Sequence, residues 1–212
     1  MDDFPHTLFV IGTDTDVGKT FVSAVLTLGL NATYWKPLQC GVSPCTDTEW
    51  VHDATRLPST NFLRESYRFG EPISPHAQSI EVNINSLKPD KFPSQENYLI
   101  IEGSGGIMLP LNEDEFFIDF MKEFGAPALL VVKNTKGAIN QAILTMDKLK
   151  QQNIPLFGML LNGAIDPINR SAIEKYCDPP RLFEIDFIPQ ITKTALKEVF
   201  EKTFRYSQLT SK

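Results

Sequence analysis

The sequence predicts a single doubly wound α/β domain, with a mostly parallel sheet and helices on both of its faces. Two patterns carry the expectation. Apolar runs of strand length alternate with segments of helical period, and the runs are apolar throughout, as in strands covered on both faces. Length supplies a third observation: 212 residues at 42% apolar content suffice for one sizeable core, and nothing marks a second domain, so residues 1–212 are read together. Ligands of such a sheet bind beyond the carboxyl ends of its strands.

In chain order, "TLFVIG" (7–12) opens the sheet and "KTFVSAVLTLGL" (19–30) supplies the first helix. "ATYWKP" (32–37) reads as a second strand stopped by Pro37, whose ring removes a ladder donor. "YLIIEGSGG", "APALLVVKN" and "IPLFGMLLNG" are three more buried strands, and "RLFEIDF" is a weaker sixth. Helices are expected near 115–124, where Gly125 ends the run, and at 138–152 and 168–177. Residues 42–97 resist this reading. "TDTEWVHDATRL" has helical character, but the remainder is rich in Pro, Ser and Asn, and so long a loop in a compact domain is functional or disordered.

Composition excludes several classes. The longest apolar runs, such as "APALLVV", fall far short of the roughly 20 residues of a membrane helix, and the acidic start has no apolar signal core. A net charge of -6 without a basic run argues against a nucleic-acid partner. Three cysteines, Cys40, Cys45 and Cys177, lack metal or disulfide-framework spacing, which fits a reducing cytoplasm. His6, His52 and His76 make no metal motif, and Glu198, Glu201, Lys202 and Arg205 read as a solvated helix face.

The chemistry concentrates in "FVIGTDTDVGKTF" (9–21), between the first strand and the first helix. "VGKT" has the parts of a phosphate-binding loop: backbone N–H groups at a helix start, a lysine for the outer phosphates and a hydroxyl for magnesium. Yet five residues, 13 to 17, separate Gly12 from Gly18 where the usual motif has four, so the first-glycine position falls on Thr13. Magnesium held on phosphates needs one or two carboxylates from other strand ends. Glu102, closing "YLII", and Asp53, in "WVHDATRL", are the candidates, with a turn residue and a surface carboxylate as the plainer readings.

"GTDTDVGKT", "WKPLQCG", "SPH", "IEGSGG" and "LLNG", in that order and spacing, resemble the dethiobiotin synthetases, ATP-dependent enzymes of the P-loop NTPase superfamily. The resemblance covers most of the chain, and the family's loop displaces its glycine in the same way. It implies ATP- and Mg2+-dependent carboxylation of 7,8-diaminononanoate with CO2, followed by ring closure. Asp16, Val17, Gly18 and Lys19 would then hold phosphate, with Thr20, Asp53 and Glu102 on magnesium. Lys36 would lie beside the transferred phosphoryl group and the carbamate. Thr15, Cys40, Ser74, Pro75, Gly105 and Gly106 would line the substrate, and Asn162, with Asp186 nearby, would meet the adenine. The family also implies a homodimer in which Asn140, in "GAIN", reaches the partner's substrate carboxylate.

Two positions depart from the family's pattern: Cys40 stands where Ser or Thr is usual, and Asp186 where Pro is usual. A regulatory switch ATPase of the partition type shares this fold, but its loop carries a lysine at the second motif position, which here is Asp14. Related ATP-dependent ligases of small acids remain a further alternative.

Overall fold

A computed structural model describes residues 4–77, 80–94 and 96–205. The predicted architecture is present. Strands β1 (Thr7–Gly12), β2 (Thr33–Trp35), β5 (Leu99–Glu102), β6 (Ala128–Lys133), β7 (Leu156–Asn162) and β8 (Leu182–Ile185) form a sheet in the order β2-β5-β1-β6-β7-β8. Every pairing in it is parallel. The remaining strands, β3 (Leu38–Cys40) and β4 (Tyr67–Phe69), make a separate parallel pair that the sequence reading missed.

Each main strand places apolar side chains on both faces, so the sheet divides two cores. One packs Phe9, Ile11, Ile101 and Leu130 against α3 (Phe117–Phe124), α4 (Ala138–Gln151) and α5 (Pro167–Cys177). The other packs Leu8, Val10, Ile100 and Leu129 against α1 (Lys19–Leu30) and α6 (Lys193–Phe200). At the C-terminal end, a turn of π-helix over Glu201–Arg205 continues α6. Leu196, Phe200 and Phe204 point into the second core, and only the Glu201–Arg205 side of this segment forms the expected surface ion pair.

Residues 42–97, where described, are packed around isolated apolar anchors. Val51 on α2 (Asp47–Thr55), Phe69, Val82, Ile84 and Leu87 are all buried, joined by single 3-10 turns. Their irregular spacing has neither a helical nor a strand period, which is why periodicity cannot find them.

Chain direction across the sheet reverses at β1. From there α1 leads towards β2 on one side, whereas β5 leads through α3 to β6 on the other. A crevice opens at such a switch point, above the carboxyl ends of the strands.

Candidate active site

The loop with the extra residue sits in this crevice. Gly12 is still paired with Val131 of β6, and the Thr13 N–H donates to the Val131 carbonyl at 3.1 Å, so the added residue extends the strand edge. The chain then folds back over Gly12. A Cβ there would lie 2.6 Å from Val17 Cγ2 and 2.9 Å from the Asp14 carbonyl, so only glycine lets the loop close. Gly18, with φ 97, caps α1 in the left-handed region, and a side chain on it would collide with Asn162 Nδ2. The start of α1 has no side-chain cap, leaving its first N–H groups for an anion.

Strand register explains the charged cluster beside the loop. Tyr34 pairs with Ile100 and Trp35 with Ile101, so Lys36 follows β2 at the level where Glu102 ends β5. Alternation along a strand turns Tyr34 and Lys36, like Ile100 and Glu102, to the α1 face. Glu102 is fully buried and accepts three hydrogen bonds. Thr20 Oγ1 at 2.8 Å and Lys36 Nζ at 2.9 Å both reach Oε1, while Tyr34 Oη reaches Oε2 at 2.9 Å. Lys36 also pairs with Asp47, the first residue of α2.

These surroundings set the charge states. Burial works against the Lys36 ammonium, but Glu102 and Asp47 outweigh it and hold its pKa above the ordinary lysine value. Lys19 has the opposite balance: burial first, then the Lys36 charge, lowers its pKa to about 8. Its Nζ donates to the loop's own Asp14 carbonyl at 2.8 Å.

One cavity of about 650 Å³ gathers most of the expected residues: Thr15, Asp16, Gly18, Lys19, Thr20, Lys36, Cys40, Ser74, Glu102 and Gly105. Pro72, Ile73 and Leu109 give it an apolar wall, and burial pushes the pKa of the Cys40 thiol up, keeping it protonated. Other expected residues stand outside its lining. The Val17 side chain is buried, and its carbonyl accepts from Asn162 Nδ2 at 2.9 Å, so Val17 can offer a ligand only backbone. Gly106 backs on to the Thr13 carbonyl, and Pro75 is buried behind Ser74. Asp186 is exposed, its Oδ1 accepting from the Phe187 N–H, and Asn140 is exposed in the first turn of α4.

The expectation for Asp53 needs correcting. Its side chain is 87% exposed and meets His52 Nδ1, outside the cavity. It lies six residues along α2 from Asp47, on another face of the helix. Asp47 is the carboxylate that α2 delivers. A capping box between Thr46 and Glu49 fixes the helix start, and Gln39 Oε1 of β3 receives the Asp47 N–H at 3.1 Å. The sequence held this signal in "TDTE", a capping-box pattern that places Asp47 in the first turn. Tyr34 was legible from its two-residue spacing to Lys36 on a strand.

This donor set fits magnesium. The ion prefers six oxygens and takes one or two carboxylates, with phosphates and water completing the shell. Among the described residues no group of three or more His, Cys, Asp or Glu is placed to hold a metal. Asp47 and Glu102 both pair with Lys36, and Thr20 donates to the same Glu102 oxygen, so the crevice gathers hard oxygen groups of the kind such an ion takes beside a nucleotide.

The family described as an AAA domain matches residues 6–195. The ATP-dependent dethiobiotin synthetase BioD of Paramagnetospirillum magneticum is 37% identical over 201 residues, covering 93% of this chain and 96% of that protein. The protein of the same name from Afipia carboxidovorans is 36% identical, covering 96% and 98%. The chain belongs to the ATP-dependent dethiobiotin synthetase family. A nucleotide-binding protein from Archaeoglobus fulgidus, solved in complex with ADP, shares the fold at 12% identity and a TM-score of 0.50, covering 100% of this chain and 94% of that one. In this dethiobiotin synthetase family member, the loop, Lys36 and Glu102 thus stand together in one crevice, with Asp47 in the place expected of Asp53.

Proposed function

We propose that the chain makes dethiobiotin from 7,8-diaminononanoate, CO2 and ATP, releasing ADP and phosphate. The observation that supports this most is that Lys19 and Lys36 line one cavity whose other wall is Pro72, Ile73 and Leu109. A phosphate-binding loop thereby shares its space with a small, partly apolar acceptor.

One amine of the diamine adds to CO2 and loses a proton, giving a carbamate. A carbamate oxygen attacks the γ-phosphorus and ADP leaves. The second amine then attacks the carbamoyl carbon, expelling phosphate and closing the ring with loss of a second proton. The chain mainly holds two anions together against their repulsion. Lys19 and the N–H groups at the start of α1 take the nucleotide phosphates, and Lys36 faces the transferred group between Asp47 and Glu102. Thr20, Asp47 and Glu102 would hold magnesium, which when bound neutralises phosphate charge. Ser74, Cys40 and Gly105 line the acceptor side, and Asn162 stands where β7 meets the loop to receive the base.

A homodimer is part of the proposal. It is supported by the family and by Asn140, exposed at the head of α4, where it is free to approach a second chain's substrate carboxylate. Cytoplasmic residence is supported by three unpaired cysteines. Among the described residues no helix is long and apolar enough to cross a membrane.

The test is ADP release from ATP and magnesium, with and without the diamine and bicarbonate. Release should require both together, since the carbamate is the acceptor. Equal turnover without the diamine would reject the proposal in favour of a free-standing ATPase.

A further inference from the structure

Glu102 Oε1 and Oε2 have different partners. Oε1 receives Thr20 and Lys36, both of which line the cavity. Oε2 receives the Tyr34 hydroxyl at 2.9 Å, on the side away from the cavity. Both Tyr34 and Glu102 are fully buried. The tyrosine ring is held in β2 by its pairing with Ile100 and by contact with Phe62, ring centroids 6.0 Å apart.

We propose that Tyr34 is a positioning residue that ties Oε2 of Glu102 and presents Oε1 alone to the metal, selecting magnesium over calcium. Magnesium takes a carboxylate through one oxygen in a strict octahedron, whereas calcium accepts both oxygens in a larger, looser shell. A carboxylate with one oxygen occupied by a fixed phenol suits the smaller ion. The proposal rests on Glu102 being a metal ligand.

The experiment is equilibrium binding of a fluorescent ADP analogue to the full chain, titrated with magnesium or with calcium, for the parent protein, Tyr34→Phe and Glu102→Gln. Tyr34→Phe removes one oxygen and should weaken the magnesium-dependent part of binding about tenfold, the scale of a lost hydrogen bond to a charged group, and weaken the calcium-dependent part less. Metal-free binding should stay as in the parent. If Glu102→Gln abolishes the magnesium effect and folded Tyr34→Phe keeps the parent's magnesium-to-calcium ratio, the role of Tyr34 is overturned while the metal ligand stands. If the parent binds the analogue equally with and without magnesium, both fall. Infrared difference spectra of the parent against Glu102→Gln need no tyrosine variant. A wide carboxylate splitting with either metal supports one-oxygen ligation, and a narrow splitting with magnesium overturns it.

Discussion

Raising the pH from about 7 to about 9 should weaken nucleotide binding through one side chain. Lys19 has a pKa of about 8 in the ligand-free protein, because burial and the neighbouring Lys36 disfavour its charge. Near pH 7 roughly nine-tenths of the molecules carry the ammonium, and near pH 9 roughly one-tenth do, a loss of about tenfold in the competent form, or about 1.4 kcal/mol. A phosphate beside the amine favours the charged form, so binding near pH 8 should take up about half a proton. Calorimetry of ADP binding in buffers of different ionisation enthalpy reads both quantities. Lys36 does not confuse the result, since its carboxylate partners keep it charged throughout this range. Lys19→Arg, whose guanidinium does not titrate, should bind with little pH dependence. An affinity constant within twofold to about pH 9, or an equal slope in Lys19→Arg, would refute the reasoning. The free protein should behave oppositely. Its folded Lys19 pKa of about 8 lies below the ordinary lysine value of 10.5, so the unfolded chain holds the extra proton between them and this group adds stability as the pH rises through that window.

Asp47→Asn should lower kcat/KM by on the order of 10²-fold, as loss of one preorganised charge does, while Asp53→Asn stays within about twofold; the reverse order would restore Asp53 to the site. Gly12→Ala forces Val17 and the Asp14 carbonyl away, costing about 1–3 kcal/mol by thermal unfolding and most of the nucleotide affinity; a variant that binds ADP normally would show that the loop tolerates a Cβ there. Cys40→Ser should change activity less than about tenfold, since a protonated thiol and a hydroxyl are similar in size and donor count. Lys19→Ala and Asn140→Ala subunits, each impaired alone, should regain activity when unfolded and refolded together, because the heterodimer has one site with both parts intact; no gain over their average would remove Asn140 from a shared site.

The main sheet and most of its helices were legible because their apolar runs are long and carry the right period. "TLFVIG" and "KTFVSAVLTLGL" match β1 and α1 residue for residue. Short elements were not. Leu38–Cys40 and Tyr67–Phe69 have three residues each, and only their pairing across 26 intervening residues makes them strands. In the site, Lys19, Thr20 and Glu102 could be found from a motif and a strand end, and Lys36 from the family resemblance. Asp47 could not be chosen over Asp53 by distance along the chain, because the choice depends on which helix face turns inward, and Gln39 fixes that from a strand no periodicity shows.

The pairing of Lys36 with Asp47 and Glu102 has a bearing on what the crevice attracts. Lys19 and Lys36 contribute two positive charges and Asp47 and Glu102 two negative ones, so at neutral pH the group sums to about zero. A bare anion such as sulfate also meets Asp16 in the lining, and finds the lysines already committed to the carboxylates and to the Asp14 carbonyl. A nucleotide arriving with a cation would meet the same groups as an exchange: the cation would take the carboxylates and the phosphates the lysines released. On the proposed function each ligand would clear the seat of the other, and the reciprocity required of coupled binding would make a metal–nucleotide pair bind better than either alone.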